Sequence, residues 1–68
     1  MPKVREVIRR LHDEGWEQVR MEGDHRQFKN PDYPGRRVTV AGKPSDDIPA
    51  GTWNSIQKQA GWKEEDQQ

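Results

Sequence analysis

The stretch WEQVRMEGDHRQFK, residues 16–29, decides the fold. Two runs flank the pair Gly23-Asp24. In the first, Val19 and Met21 alternate with Gln18, Arg20 and Glu22, the period-two pattern of a strand with one face on a core. The second, HRQFK (25–29), is a short strand that carries Phe28. Gly followed by Asp at the junction is a two-residue hairpin signal, because glycine supplies the positive φ required at the first turn position. Gly23 and Asp24 are thus the expected turn-forming residues. Such a turn pairs Glu22 with His25, Arg20 with Gln27 and Val19 with Phe28.

Working outward, RRVTVA (36–41) reads as a third strand, reached through NPDYPG (30–35), whose two prolines and glycine force a longer loop. Setting Val38 opposite Phe28 makes one apolar row of Val19, Phe28 and Val38. A slip of one residue would bury Lys29, Gln27 and His25 beside Val38 and Val40, so burial selects the first register. On the N-terminal side, VREVIRRL (4–11) spaces Val4, Val7, Ile8 and Leu11 as the apolar stripe of a helix. His12 lies at the margin of that stripe, near the helix C-terminus, where positive charge is favoured. Gly15 fits the left-handed residue past the helix end.

On the C-terminal side, GKPSDDIPAG (42–51) is a connecting loop. PAGTWNSIQKQA (49–60) then puts Trp53, Ile56 and Ala60 on one helix face, with Pro49 in the first turn. Asp46 and Asp47 favour its positive start. Gly61 ends it, and Trp62 folds back on the last turn. The expected fold class is α+β, in the order α-β-β-β-α, with a three-stranded antiparallel sheet and two helices on one face. Residues 1–62 are expected to form a single domain and 63–68 a disordered tail.

Composition narrows the class of molecule. A 68-residue chain with 28% apolar residues builds a thin core, although its three tryptophans each bury a large area. Twelve basic and twelve acidic residues cancel, which counts against strong non-specific binding of nucleic acid. The acidic tail KEEDQQ leaves a small positive excess over residues 1–62. No apolar run approaches the ~20 residues of a membrane span, and MPKVREVIRR carries charges where a signal peptide would be apolar. The absence of cysteine excludes disulfides and thiolate metal sites. The expected location is cytoplasmic, with no membrane partner.

The register assigns Gln18, Arg20, Glu22, His25, Gln27, Lys29, Arg37 and Thr39 to the sheet face that no helix covers. Arg26 falls on the helix side near Val40, its stem packed and its head in water. An imidazole among amides, a hydroxyl and cations suits cleavage of RNA through the ribose 2′-OH. That chemistry needs a base for the hydroxyl, donors for the phosphorane charge and a proton for the leaving oxygen. Histidine, with a free pKa of ~6.5, suits the proton transfers. Arg20, Lys29 and Arg37 are the candidate RNA-binding cations. The neighbouring acids Glu22 and Asp24 leave both the acid and the base role open for His25. His12 and His25 lie on different elements and no metal-ligand spacing occurs, so neither metal nor cofactor is expected.

Several segments together resemble the HicA family of bacterial mRNA-interferase toxins. IRRLHDEGWEQVRMEGDHRQFKNP resembles the family's opening helix, its GW and its G-S-H-x-x-F hairpin. RRVTVAGKP resembles the next strand and its exit, and IPAGTWNSIQKQAGW is similar to the closing G-T-L-x-x-I-x-K-Q-A-G helix. The resemblance implies a fold like that of double-stranded-RNA-binding domains. It also implies a toxin of a type II toxin-antitoxin system that cleaves mRNA without a metal and is neutralised by a HicB-type antitoxin. The family's single catalytic histidine maps onto His25, and its turn glycine onto Gly23. Asp24 stands where the family usually has serine, and Arg26 where a second histidine or an aromatic is common. The residues alone also allow a different class, a non-catalytic RNA-binding or protein-interaction module of the same fold.

Overall fold

A computed structural model describes residues 2–63. Helix α1, Val4–Asp13, buries Val4, Val7 and Leu11, three positions of the stripe read from the sequence. It ends at Glu14, and Gly15 follows with φ +92°. Its first turn is closed by a distant segment. The N–H groups of Val4 and Arg5, which have no partner inside the helix, donate to the carbonyls of Asp46 and Pro44 at 2.9 and 3.0 Å. Glu6 completes the end by accepting the backbone N–H of Lys3 at 2.7 Å.

Strands β1 (Glu17–Glu22), β2 (His25–Lys29) and β3 (Arg37–Ala41) form an antiparallel sheet in the order β1-β2-β3. The hairpin turn falls on Gly23 and Asp24 as expected, with Gly23 at φ +59° and Glu22 opposite His25. Phe28 faces Val38 and Arg26 faces Val40. Phe28, Val38 and Val40 are fully buried under the helices, with Trp16, Ile48, Ile56 and Ala60 in the same cluster.

The first strand departs from its expected register. Arg20 pairs with Gln27 as anticipated, but Phe28 faces Gln18 rather than Val19, because the ladder shifts between Gln18 and Arg20. Val19 is the additional residue of a β-bulge, which breaks strict alternation. It is 52% exposed, so the apolar row of Val19, Phe28 and Val38 does not form. Met21, opposite Arg26, is 49% exposed. All of β1 is exposed because it is the edge strand, beyond the reach of the helices. Gln18 leaves the open face and its amide approaches the Met21 sulfur at 3.7 Å.

Helix α2, Ala50–Ala60, begins one residue after Pro49, which occupies the N-cap position. Ile56 and Ala60 are buried, and Trp53 packs against the core from its margin. Gly61 terminates α2 at φ +79°, and the Trp62 N–H returns to the Gln57 carbonyl at 2.8 Å. Asp46 and Asp47 do not serve α2, whose first turn carries no acid. Asp47 pairs with Lys3 at 2.8 Å, and the Asp46 carboxylate accepts the Lys43 N–H at 3.0 Å. Their loop is turned toward the start of α1 instead. Of the expected tail, Lys63 donates to the Gln57 carbonyl at 3.2 Å, and residues 64–68 lie outside the described residues. Among the described residues no helix is long and apolar enough to cross a membrane.

The two helix ends meet at Glu14. Its carboxylate accepts the Trp62 indole N–H at 2.7 Å and pairs with Arg10 at 3.1 Å, while Arg10 lies 3.8 Å above the Trp62 ring. The Trp62 hydrogen bond, aided by Arg10, holds the Glu14 carboxyl below its ordinary value of 4.5. A carboxylate with a depressed folded-state value stabilises above its ordinary value and loses that contribution as pH falls through the folded value.

Val19→Thr should change stability by no more than about 0.5 kcal/mol, whereas Phe28→Ala should cost roughly 3–5 kcal/mol. Urea titration checks both, and a large Val19→Thr cost would restore Val19 to the core. For Glu14→Gln, the deficit in urea midpoint relative to wild type should be present at pH 7 and shrink by pH 3. A deficit independent of pH would contradict the charge-based contribution of Glu14.

Candidate active site

Strand pairing arranges the uncovered sheet face in three rows. Glu22, His25 and Ala41 form the row at the hairpin end, Arg20, Gln27 and Thr39 the middle row, and Glu17, Lys29 and Arg37 the far row. The expected face is therefore present with one exchange, Glu17 for Gln18. The bulge causes this exchange and leaves the middle and hairpin rows in place. Below them, Phe28 and Val38 form the buried layer.

His25 opens β2 and is 58% exposed. Its Nδ1 lies 3.1 Å from Oδ1 of Asp24. Asp24 is a turn residue, so its side chain is not bound to the strand alternation that would send it to the other face. Glu22, across the ladder, is engaged by Arg20 at 3.0 Å. Of the three candidate cations, Arg20 is thus nearest to the imidazole row, already paired with an acid. Lys29 and Arg37 face each other at the opposite end, beside Glu17. They lie four residue steps along the strands from the His25 row, about 13 Å at the usual rise. They lie at the far end of the face from His25.

Arg26 lies on the helix side, half-buried, and its guanidinium donates to the Gly42 carbonyl at 2.8 Å. The expectation of a head in water is corrected, because the loop after β3 supplies an acceptor. His12 is exposed on α1, its ring 6.5 Å from that of Phe28, and does not join His25. A hollow beside the hairpin end is lined by Asp24, Asp46, Asp47 and Thr52 among others. Its carboxylates have the wrong sign for phosphate. Among the described residues no group of His, Asp or Glu side chains gathers as a metal site.

One structural residue near this face escaped the sequence reading. Asn30, just past β2, is buried, donates to the Glu14 carbonyl at 3.0 Å and accepts the Asp32 N–H at 3.0 Å. It ties the end of α1 to the start of the β2–β3 loop. The signal available was Asn before Pro, a common opening of a turn.

The architecture and the site define a small α+β domain whose bare sheet carries one imidazole among amides and cations. Residues 4–62 match the family model described as the HicA toxin of bacterial toxin-antitoxin systems, and the chain belongs to that family. No match to the chain is found among curated proteins. The protein is therefore a toxin-antitoxin toxin by family.

The hairpin that carries His25 depends on glycine. A Cβ at Gly23 would touch nothing, so replacing it tests the backbone alone. Gly23→Ala should cost about 1–2 kcal/mol through its left-handed φ. A urea titration showing no loss would mean that the turn does not need glycine.

Proposed function

We propose that this protein is a metal-independent endoribonuclease that cleaves mRNA in the cytoplasm, with His25 as its catalytic proton-transfer residue and a HicB-type antitoxin as its inhibitor. The observation that carries the reading is the position of His25, exposed at the hairpin end of the one sheet face that no helix covers. Membership of the HicA family supports the toxin and its antitoxin pairing.

The chemistry is internal to the RNA. The 2′ oxygen attacks phosphorus, its proton passes to a base, and the P–O5′ bond breaks as O5′ takes a proton. The ends are a 2′,3′-cyclic phosphate and a 5′-hydroxyl, so no external nucleophile is consumed. His25 performs one of the two proton transfers and water the other. Arg20 is the cation best placed for the charge that develops on the phosphorane. Lys29 and Arg37 hold an adjacent stretch of backbone, with Gln27 and Thr39 between them as neutral donors. The face is two strand spacings wide, roughly 10 Å, and accommodates a short stretch of one strand.

Purified His25→Ala should cleave RNA at least ~100-fold more slowly than wild type, with an unchanged circular dichroism spectrum. Wild-type cleavage should persist in EDTA. Equal rates for the two proteins would remove His25 from the mechanism. Salt-sensitive binding with RNA left intact by both would instead identify a binding module.

A further inference from the structure

We propose that Tyr33 is a stacking platform for a nucleobase of single-stranded RNA, with Lys29, Arg36 and Arg37 holding the phosphates beside that base. The choice of RNA as ligand rests on the function proposed above. The platform extends that site beyond the sheet, onto the loop between β2 and β3.

The Tyr33 ring is exposed and yet held. It is 49% exposed. It stacks on Trp16, with ring centroids 5.9 Å apart and planes 14° from parallel. Trp16 is buried in the core, so the tyrosine rests on a packed support. The backbone is held as well. The Tyr33 N–H donates to the Asn30 carbonyl at 2.9 Å, and the Tyr33 carbonyl accepts the Arg36 N–H at 3.1 Å. Asn30 is buried and ties this loop to the end of α1 through the Glu14 carbonyl. Pro31 and Pro34, on either side, each fix a backbone angle. A ring ordered in advance loses little conformational freedom when a ligand settles on it. Single exposed apolar side chains are ordinary on protein surfaces. Tyr33 differs in its parallel stack and in the support on both sides of its backbone.

Its surroundings select the ligand. The loop leaves β2 at Lys29 and enters β3 at Arg37, and these two residues pair, so Tyr33 emerges at the far row of the open face. The Arg36 guanidinium stands 5.9 Å from the centroid of the Tyr33 ring, whereas Arg10 lies 3.8 Å above Trp62. Arg36 thus flanks the tyrosine without lying flat against it. It rests near the end of α2, where a Cβ on Gly61 would come 2.9 Å from its Nη1. Lys29, Arg36 and Arg37 outnumber the acids of this end, Glu17 and Asp32. An aromatic ring among cations suits a base and its phosphates, because every base has a π-face to stack. Unstacked bases are offered by single strands and not by a duplex. An apolar protein contact fits less well, since the loop beside the ring carries Asp32 and Arg36.

The test measures the affinity of wild type, Tyr33→Leu and Tyr33→Phe for two short oligomers. One is a 2′-O-methyl RNA, which keeps bases and phosphates but lacks the attacking hydroxyl. The other is an abasic oligomer of the same length. Leucine keeps an apolar cover over Trp16, and unchanged urea midpoints identify variants that fold normally. Tyr33→Leu should bind the base-bearing oligomer about 10-fold more weakly than wild type. It should bind the abasic oligomer as wild type does, and Tyr33→Phe should bind both as wild type does. Equal affinity of wild type and Tyr33→Leu for the base-bearing oligomer would overturn the proposal, as would an equal loss on both oligomers or no binding of either by wild type. Cleavage of unmodified RNA by wild type and His25→Ala decides the proposed function separately. Cleavage without a Tyr33 effect on binding sinks the platform alone, and Tyr33-dependent binding without cleavage sinks the nuclease alone.

Discussion

Phe28 sets the side of the sheet on which His25 stands. Side chains alternate along a strand, so residues three apart face opposite ways. With Phe28 fully buried beneath the helices, His25 must point away from them. The constraint is internal to β2 and reinforced by its regular pairing with β3, where Phe28 meets Val38. Any register that turned His25 inward would also expose the phenylalanine, a side chain worth roughly 1.5–3 kcal/mol when buried. The irregular strand, β1, lies on the other side of β2, and its bulge is spent before the hairpin row begins. Core packing and site placement are thus one choice, made at a single residue.

A chain this small and this polar needs more than its apolar cluster to hold the helices on the sheet. Here, polar groups at the element ends supply the rest. The loop after β3 gives carbonyls to the open start of α1, and Asn30 takes a carbonyl from its end. Gln59 of α2 accepts the outward N–H of Thr39 at 2.9 Å, which covers the free edge of β3. Trp62 reaches back from α2 to Glu14 at the end of α1. These contacts join parts of the chain far apart in sequence. Each also gives a partner to a backbone group or an indole N–H.

What the sequence made legible follows from what is periodic. Both helices, the Gly23-Asp24 turn, the pairing of Phe28 with Val38 and the outward face of His25 rest on spacing, and all are present. The bulge at Val19 was not legible. An alternating run reads as regular whether or not a helix is available to cover it, and only the assembled layers show β1 to be beyond reach. Asp46 and Asp47 lie nearer α2 in sequence, but the Asp46 carbonyl and the Asp47 carboxylate serve the start of α1, more than forty residues away. Sequence proximity misleads wherever a loop has two helix ends to choose between. The Asp24–His25 contact was legible as adjacency and not as direction, because a turn residue has no fixed face.

The exposed edge has a consequence for the site. β1 offers unpaired backbone groups and two half-exposed apolar side chains, features that invite a further strand. The bulge at Val19 interrupts the regular ladder in the middle of that edge, and the paired charges of Arg20 and Glu22 follow it. Both devices discourage continuous pairing along the strand. An added strand would extend the open face and set a neighbour's side chains beside the imidazole row. The irregularity that defeats the simple alternation of β1 therefore keeps the surface around His25 three strands wide and open to solvent.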